Sequence, residues 1–218
     1  MDASIVNISL PALVDVFDTG LSTVIWVLLA YMLTIAGLML PLGKAGDTLG
    51  RKRVYTLGFA LFTLGLALCA LSQNITQLII FRVIQGVGAA MIVAIGTAIV
   101  TATFPPQERG KAIGIMGTAV GLGLLSGPAL GGWFIDTFGW RSIFYLRLPV
   151  SILGMAMAWV ILREDNSSKS SKGFDFWGAT TLFIGLASLL FALNQGQPRG
   201  WSSPLVLGFG AVGIRVVA

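Results

Sequence analysis

Long apolar runs separated by short polar breaks set the layout of this chain. With about 20 apolar residues needed to cross a bilayer as a helix, the pattern predicts a half-length helix over 2–14. Full spans follow over 22–43, 54–72, 77–103, 111–135, 142–162 and 175–195, and an incomplete one begins near Pro204. A polar, basic stretch runs from Lys44 to Arg53, and short links are expected at 72–76, 105–110 and 136–140. Short links between long helices predict antiparallel neighbours in a compact bundle. The expected fold is therefore all-α, a polytopic transmembrane helix bundle. It divides into a first unit over 1–163 with a truncated first helix, a short linker loop over 164–174, and additional spans over 175–218, the second of them incomplete.

Composition supports the membrane reading. The chain is 56% hydrophobic and 11% charged, with mean hydropathy +0.88, whereas a soluble domain carries charge on about a quarter of its residues. The 28 glycines and eight prolines suit helices that pack on one another inside a bilayer. Cys69 is the single cysteine and histidine is absent, so an intrachain disulfide is excluded, and any proton chemistry must use carboxylates. Alternate links differ sharply in charge. One set holds Lys44, Arg51, Lys52, Arg53, Arg109, Lys111, Arg163, Lys169 and Lys172, and the other holds Arg141 and Arg199. Basic loops face the cytoplasm, so the protein is expected in a plasma membrane, multi-pass, with the richer set inside. The net charge of +5 then needs no nucleic acid. No soluble catalytic module is legible, and an enzyme is not expected. The chain is already apolar by Ile5, with no basic leader before it; Met1 is expected to lie inside a helix whose first half is missing, as in a fragment.

Four stretches carry candidate chemistry. In Gly43–Arg53, glycines permit a tight turn, and Asp47 lies four residues before Arg51, a spacing that pairs opposite charges or lets the acid cap the next helix. A plain topology-setting basic loop is the alternative. In Leu78–Ala90, Arg82, Gln85, Gly86, Ala89 and Ala90 share one helix face; Arg82 either snorkels to the interface or faces the bundle interior. From Gly114 to Gly132, Gly123, Gly127 and Gly131 recur every four residues and make one strip without side chains, which lets a second helix approach or leaves a groove. Gly114 falls half a turn away from that strip. Asp2, in a mid-membrane setting, would be costly when charged unless paired or wetted; if the chain truly starts at Met1, it belongs to a polar tail.

These stretches together resemble the major facilitator superfamily. Gly43, Asp47, Gly50, Arg51 and Lys52 match the signature between its second and third helices, while Ala45, Gly46 and Thr48 depart from it; the Arg missing at 48 removes a positive charge from the family's gating network. Arg82, Gln85, Gly86 and Gly88 match the fourth-helix signature, whose arginine the family links to proton transfer. Gly114, Gly123, Gly127, Pro128, Gly131 and Gly132 resemble the fifth-helix motif of drug-exporting members, which shapes the central cavity and limits leakage. The run from Asp2 to Pro11 is similar to the first-helix signature of drug:proton antiporters, with Ser4 and Ser9 as mild departures, and the short linker before 175 and the run 174–178 resemble the fourteen-span subgroup. Arg147 stands where the sixth-helix signature has Asn. It snorkels outward, lines the cavity, or is a change in the sequence itself, and Arg215 raises the same question.

The resemblance implies the N-terminal lobe of a proton-coupled exporter of hydrophobic, often cationic drugs, working by alternating access. Asp2 and Arg82 would couple protons, and Gly43 to Lys52 would gate. The implied partners are a small drug-like molecule, the lipid bilayer and a C-terminal half, with the proton as coupling ion and no other cofactor. A metabolite transporter of the same family and a non-transporting half remain as alternatives.

Overall fold

The computed structural model describes residues 2–162 and 176–217, apart from the side chains of Asp2, Ala3, Phe176, Trp177, Ala179, Leu182, Gln197, Pro198 and Val217. The linker expected at 164–174, and with it Arg163, Lys169, Lys172 and the start of the run 174–178, lies outside the described residues. Every described element is a helix, as a bilayer requires, because a helix satisfies its backbone N–H and C=O groups within one segment.

In chain order these are α1 (Asp2–Phe17), α2 (Leu21–Leu49), α3 (Arg51–Leu71), α4 (Ile75–Thr103), α5 (Arg109–Phe138), α6 (Ser142–Tyr145), α7 (Arg147–Ile161), α8 (Phe176–Arg199) and α9 (Pro204–Val217). Among the described residues, five segments are long and apolar enough to cross a membrane: α2, α3, α4, α5 and the combined run Ser142–Ile161. The breaks fall where the chain stops supporting a helix. Gly50 and Gly139 take left-handed φ of 97° and 78°, which a residue without Cβ adopts at no steric cost. Pro105 and Pro106 lie in the link after α4. Asn74 starts α4 by accepting from the Gln77 N–H at 2.8 Å, while Gln77 Oε1 accepts from the Gln73 N–H at 3.0 Å, a reciprocal cap.

Two expectations need correction. The stretch after residue 43 is not a loop as far as Arg53. α2 continues helical through Leu49, and Gly50 is the one residue between α2 and α3. A helix of 29 residues is about 44 Å long at 1.5 Å per residue, well beyond the hydrocarbon layer of about 30 Å. Lys44 and Asp47 therefore sit on a helical extension that keeps its backbone bonds. The span expected over 142–162 is interrupted at Leu146. Pro149 has no N–H for the carbonyl four residues back, and its ring crowds that same carbonyl, which belongs to Tyr145, where α6 stops.

α4 lies between α2 and α3; α1 packs on α5 and α2, α7 on α3, α8 on α2 and α9 on α8. Close approach comes from glycine, since helix packing in lipid depends on contact of small residues. A Cβ on Gly88 would run into the backbone of α3 at Phe62 and Gly58, and one on Gly65 would come within 2.6 Å of Gln85 Cα. One apolar core gathers Ile5, Val6, Leu10 and Leu13 of α1 with Val24, Val27, Leu66, Cys69, Leu78, Trp140, Ile143 and Phe144. A smaller one, Val54, Met91 and Ile95, lies toward the α2–α3 turn.

Candidate functional site

The helix face expected on α4 is the buried one: Leu78, Arg82, Gln85, Gly86, Ala89 and Ala90 all turn inward. Arg82 is 0% exposed, so it does not snorkel. A charge buried this deeply needs close polar partners to offset its lost hydration, and α2 and α4 supply them. Arg82 Nε donates to the Val27 carbonyl at 3.1 Å, and Nη1 donates to Gln85 Oε1 at 2.7 Å. The guanidinium carbon stands 4.0 Å from the centre of the Tyr31 ring, a cation–π arrangement. The Cys69 thiol of α3 donates to Gln85 Oε1 at 3.8 Å. Three helices therefore meet around one guanidinium. Asp2 occupies the first position of α1; its side chain lies outside what is described.

At the basic end, the spacing expected to pair Asp47 with Arg51 does so. Arg51 Nε and Nη2 donate to Asp47 Oδ1 at 3.3 and 3.0 Å, bridging the Gly50 turn. Arg51 Nη1 also donates to the Ala98 carbonyl of α4 at 3.3 Å, tying the turn to a third helix. Asp47 does not cap α3, which has no side-chain cap. Lys52 Nζ lies 5.5 Å from the Trp159 ring of α7. Gly43 faces Ala94 at ordinary contact distance.

The glycine array divides as its spacing predicts. Gly123, Gly127 and Gly131 are the buried residues of α5. A Cβ on Gly127 would collide with Ser4 Oγ, and one on Gly131 would lie 3.0 Å from Ile5 Cγ2, so the strip is the seat of α1. Gly114 and Gly132 have nothing within 4 Å where a Cβ would stand; they open onto the bare side of α5. Pro128 stands between Gly127 and Ala129 within the helix.

Arg147 is buried rather than snorkelling outward: it is 9% exposed, its Nε donates to the Ile143 carbonyl at 3.0 Å, and its guanidinium lies 5.8 Å from the Phe144 ring. It shares a stripe with Ser151 and Ala158, and that stripe faces α3, where Thr63 and Ser151 are 2.6 Å apart. Arg215 is exposed near the end of α9. Three features escaped the sequence reading. Tyr31 and the Val27 carbonyl are the first, and an isolated tyrosine in an apolar run carries no sign of what its ring covers. The Thr63–Ser151 pair is the second, joining residues far apart in the chain. The third is Arg141, which donates to the Ala70 and Ser72 carbonyls at 3.2 and 2.8 Å and clamps the α5–α6 turn to the end of α3. Beside it lies a largely apolar groove of about 380 Å³ lined by Phe134, Phe138, Arg141, Ser142, Tyr145 and Leu146.

The family model described as Major Facilitator Superfamily matches residues 1–217. Among relatives, the chain is 40% identical over 195 residues to the riboflavin transporter RibZ of Clostridioides difficile, covering 89% of this chain and 43% of that protein. It is 34% identical to the multidrug transporter protein MdtP of Bacillus subtilis, covering 98% and 39%. Against a multidrug resistance protein B homolog of Mycobacterium tuberculosis the identity is 35%, covering 92% and 37%. The chain thus spans less than half the length of these relatives. In fold it is similar to the inward-facing crystal structure of a bacterial homolog of the human lysosomal transporter Spinster. There the TM-score is 0.60 at 19% identity, covering 98% of this chain and 55% of that one.

Proposed function

The chain belongs to the major facilitator superfamily, and on that premise we propose that it forms the N-terminal lobe of a secondary transporter exporting hydrophobic or cationic drug-like compounds in exchange for protons. The observation that carries this reading is Arg82, fully buried within a span and held by two helices. Intramembrane charges are expensive and mark ion or proton paths. Two of the relatives are named as multidrug proteins, and this supports the class of substrate. Asp2 would take up and release the proton. Its two protonation states would favour different access states, which is the only way a gradient can drive such a cycle. The basic turns, at Asp47–Arg51 and at Arg109–Lys111, would face the cytoplasm of a bacterial cell. A second lobe would complete the substrate path, since sites of this fold lie at the interface between repeats.

The test is ethidium efflux by the full-length protein in membrane vesicles with an imposed pH gradient. Asp2→Asn is expected to cut gradient-driven efflux at least about tenfold, because a side chain that cannot titrate has no differential proton affinity to offer. Undiminished efflux by that variant would remove Asp2 from the coupling role. The 40% identity to a riboflavin transporter favours a second reading, in which the substrate is a planar heterocycle of the flavin class. Gradient-dependent movement of radiolabelled riboflavin, with ethidium left in place, would select it.

A further inference from the structure

Arg82 is held from α2 at two points one helical turn apart, the Val27 carbonyl and the Tyr31 ring. Tyr31 is itself 5% exposed. Its position is fixed from behind, because a Cβ on Gly86 would lie 3.2 Å from the Tyr31 carbonyl oxygen and 2.8 Å from Thr34 Cβ, so α2 and α4 are in direct contact there. On the far side Gln85 accepts from Arg82 and Cys69 points at the same amide oxygen. The described titratable side chains beside the guanidinium are thus Tyr31 from α2 and Cys69 from α3. The same α2 helix runs on to Asp47, sixteen residues and about 24 Å from Tyr31 at 1.5 Å per residue.

We propose that Tyr31 is the positioning residue for Arg82: its ring face fixes the guanidinium to α2, so that a change of charge beside Arg82 is carried along that helix to the Asp47–Arg51 pair. The inference deepens the proton-coupled reading and rests on it for the transport consequence, though not for the contact itself. A ring offers Arg82 its negative π-face as well as its bulk. A leucine of similar reach offers bulk alone, and this separates positioning from packing.

The experiment uses the full-length protein in membranes with Tyr31→Phe and Tyr31→Leu. Three quantities are read: gradient-driven ethidium efflux, N-ethylmaleimide alkylation of Cys69 quantified on its own peptide, and the melting temperature in detergent. Tyr31→Phe keeps the π-face and is expected to retain efflux within about twofold and to leave Cys69 shielded. Tyr31→Leu is expected to lower efflux by up to about thirtyfold, the ratio equivalent to ~2 kcal/mol for a desolvated cation–π contact at tenfold per 1.4 kcal/mol. It should also raise Cys69 alkylation, as Gln85 and Arg82 lose their fixed places. If Leu and Phe behave alike in both readouts, Tyr31 is a packing residue and the proposal fails. If wild-type efflux ignores the pH gradient, the coupling reading fails instead, and Cys69 alkylation alone decides: raised in Leu but not in Phe keeps the positioning role, and equal labelling ends it. Should Tyr31→Leu not survive extraction, Tyr31→Met, a flexible apolar filler, takes its place with the same outcomes.

Discussion

Gly88→Ala adds a single methyl group where α4 meets α3 backbone to backbone. The new Cβ would collide with the Phe62 backbone nitrogen, lie 2.6 Å from the Gly58 carbonyl oxygen and 2.9 Å from Phe62 Cα. All three are backbone atoms of α3, so no side-chain rotation relieves the clash. Ordinary contact begins at 3.4 Å, so α3 and α4 must separate by at least roughly 0.8 Å at this level, which a close-packed interior with few voids does not absorb. Overpacking of this kind costs about 1–3 kcal/mol, and at roughly 2–4 °C per kcal/mol for a chain of this size the melting temperature should fall by about 2–12 °C. The separation also acts within two turns of Arg82 and Gln85 on the same helix, and Gly65 already brings Gln85 against α3. Cys69 alkylation should therefore rise with the melting loss. The assay is fluorescence-detected size exclusion after heating in detergent. A variant that melts within ~1 °C of wild type, with Cys69 still shielded, would mean that α3 and α4 do not meet backbone to backbone at Gly88.

Gly114→Ala is the matching control, because nothing lies within 4 Å of its Cβ position. Its melting temperature should hold or rise slightly, as Ala favours a helix over Gly by up to ~1 kcal/mol; a loss like that of Gly88→Ala would mean Gly114 packs within this lobe. Thr63→Val and Ser151→Ala, alone and combined, should yield a coupling energy of about 0.6 kcal/mol and no more than ~1.7 kcal/mol, the range for hydrogen bonds between membrane helices. The Thr63 hydroxyl already donates to the Phe59 carbonyl at 2.7 Å, so Ser151 is the donor across the α3–α7 contact. Additive losses in the double variant would show that the 2.6 Å pair carries no energy of its own.

The membrane class, the number of apolar runs and the inward faces of α4 and α5 were legible because each is a periodicity, and periodicity survives without knowledge of any neighbour. Arg82, Gln85, Gly86 and Ala89 share a face by arithmetic, and so do Gly123, Gly127 and Gly131. What covers those faces is a different matter. That α1 sits on the α5 strip through Ser4 and Ile5, or that Tyr31 lies under Arg82, depends on contacts between distant positions, and a single sequence carries no record of them. The extension of α2 through Leu49 has the look of a loop in the sequence, because Lys44, Gly46 and Asp47 are residues common in loops. In a bilayer, polar residues past the apolar layer are as well placed on a helix as off it. The interruption at Leu146 had a visible cause in Pro149, whose effect falls four residues upstream. The burial of Arg147 had none, since an arginine five residues into a span reaches the interface or the interior with equal ease.

The Gly50 junction leaves the two helices it joins almost no slack. With one residue between Leu49 and Arg51, a tilt of the first rod has to appear as rotation about a single pair of backbone dihedrals, and the ion pair straddling that elbow resists it. Whatever swings the longer arm must drag its neighbour along, so this pair of rods behaves as a bent lever rather than as two independent struts.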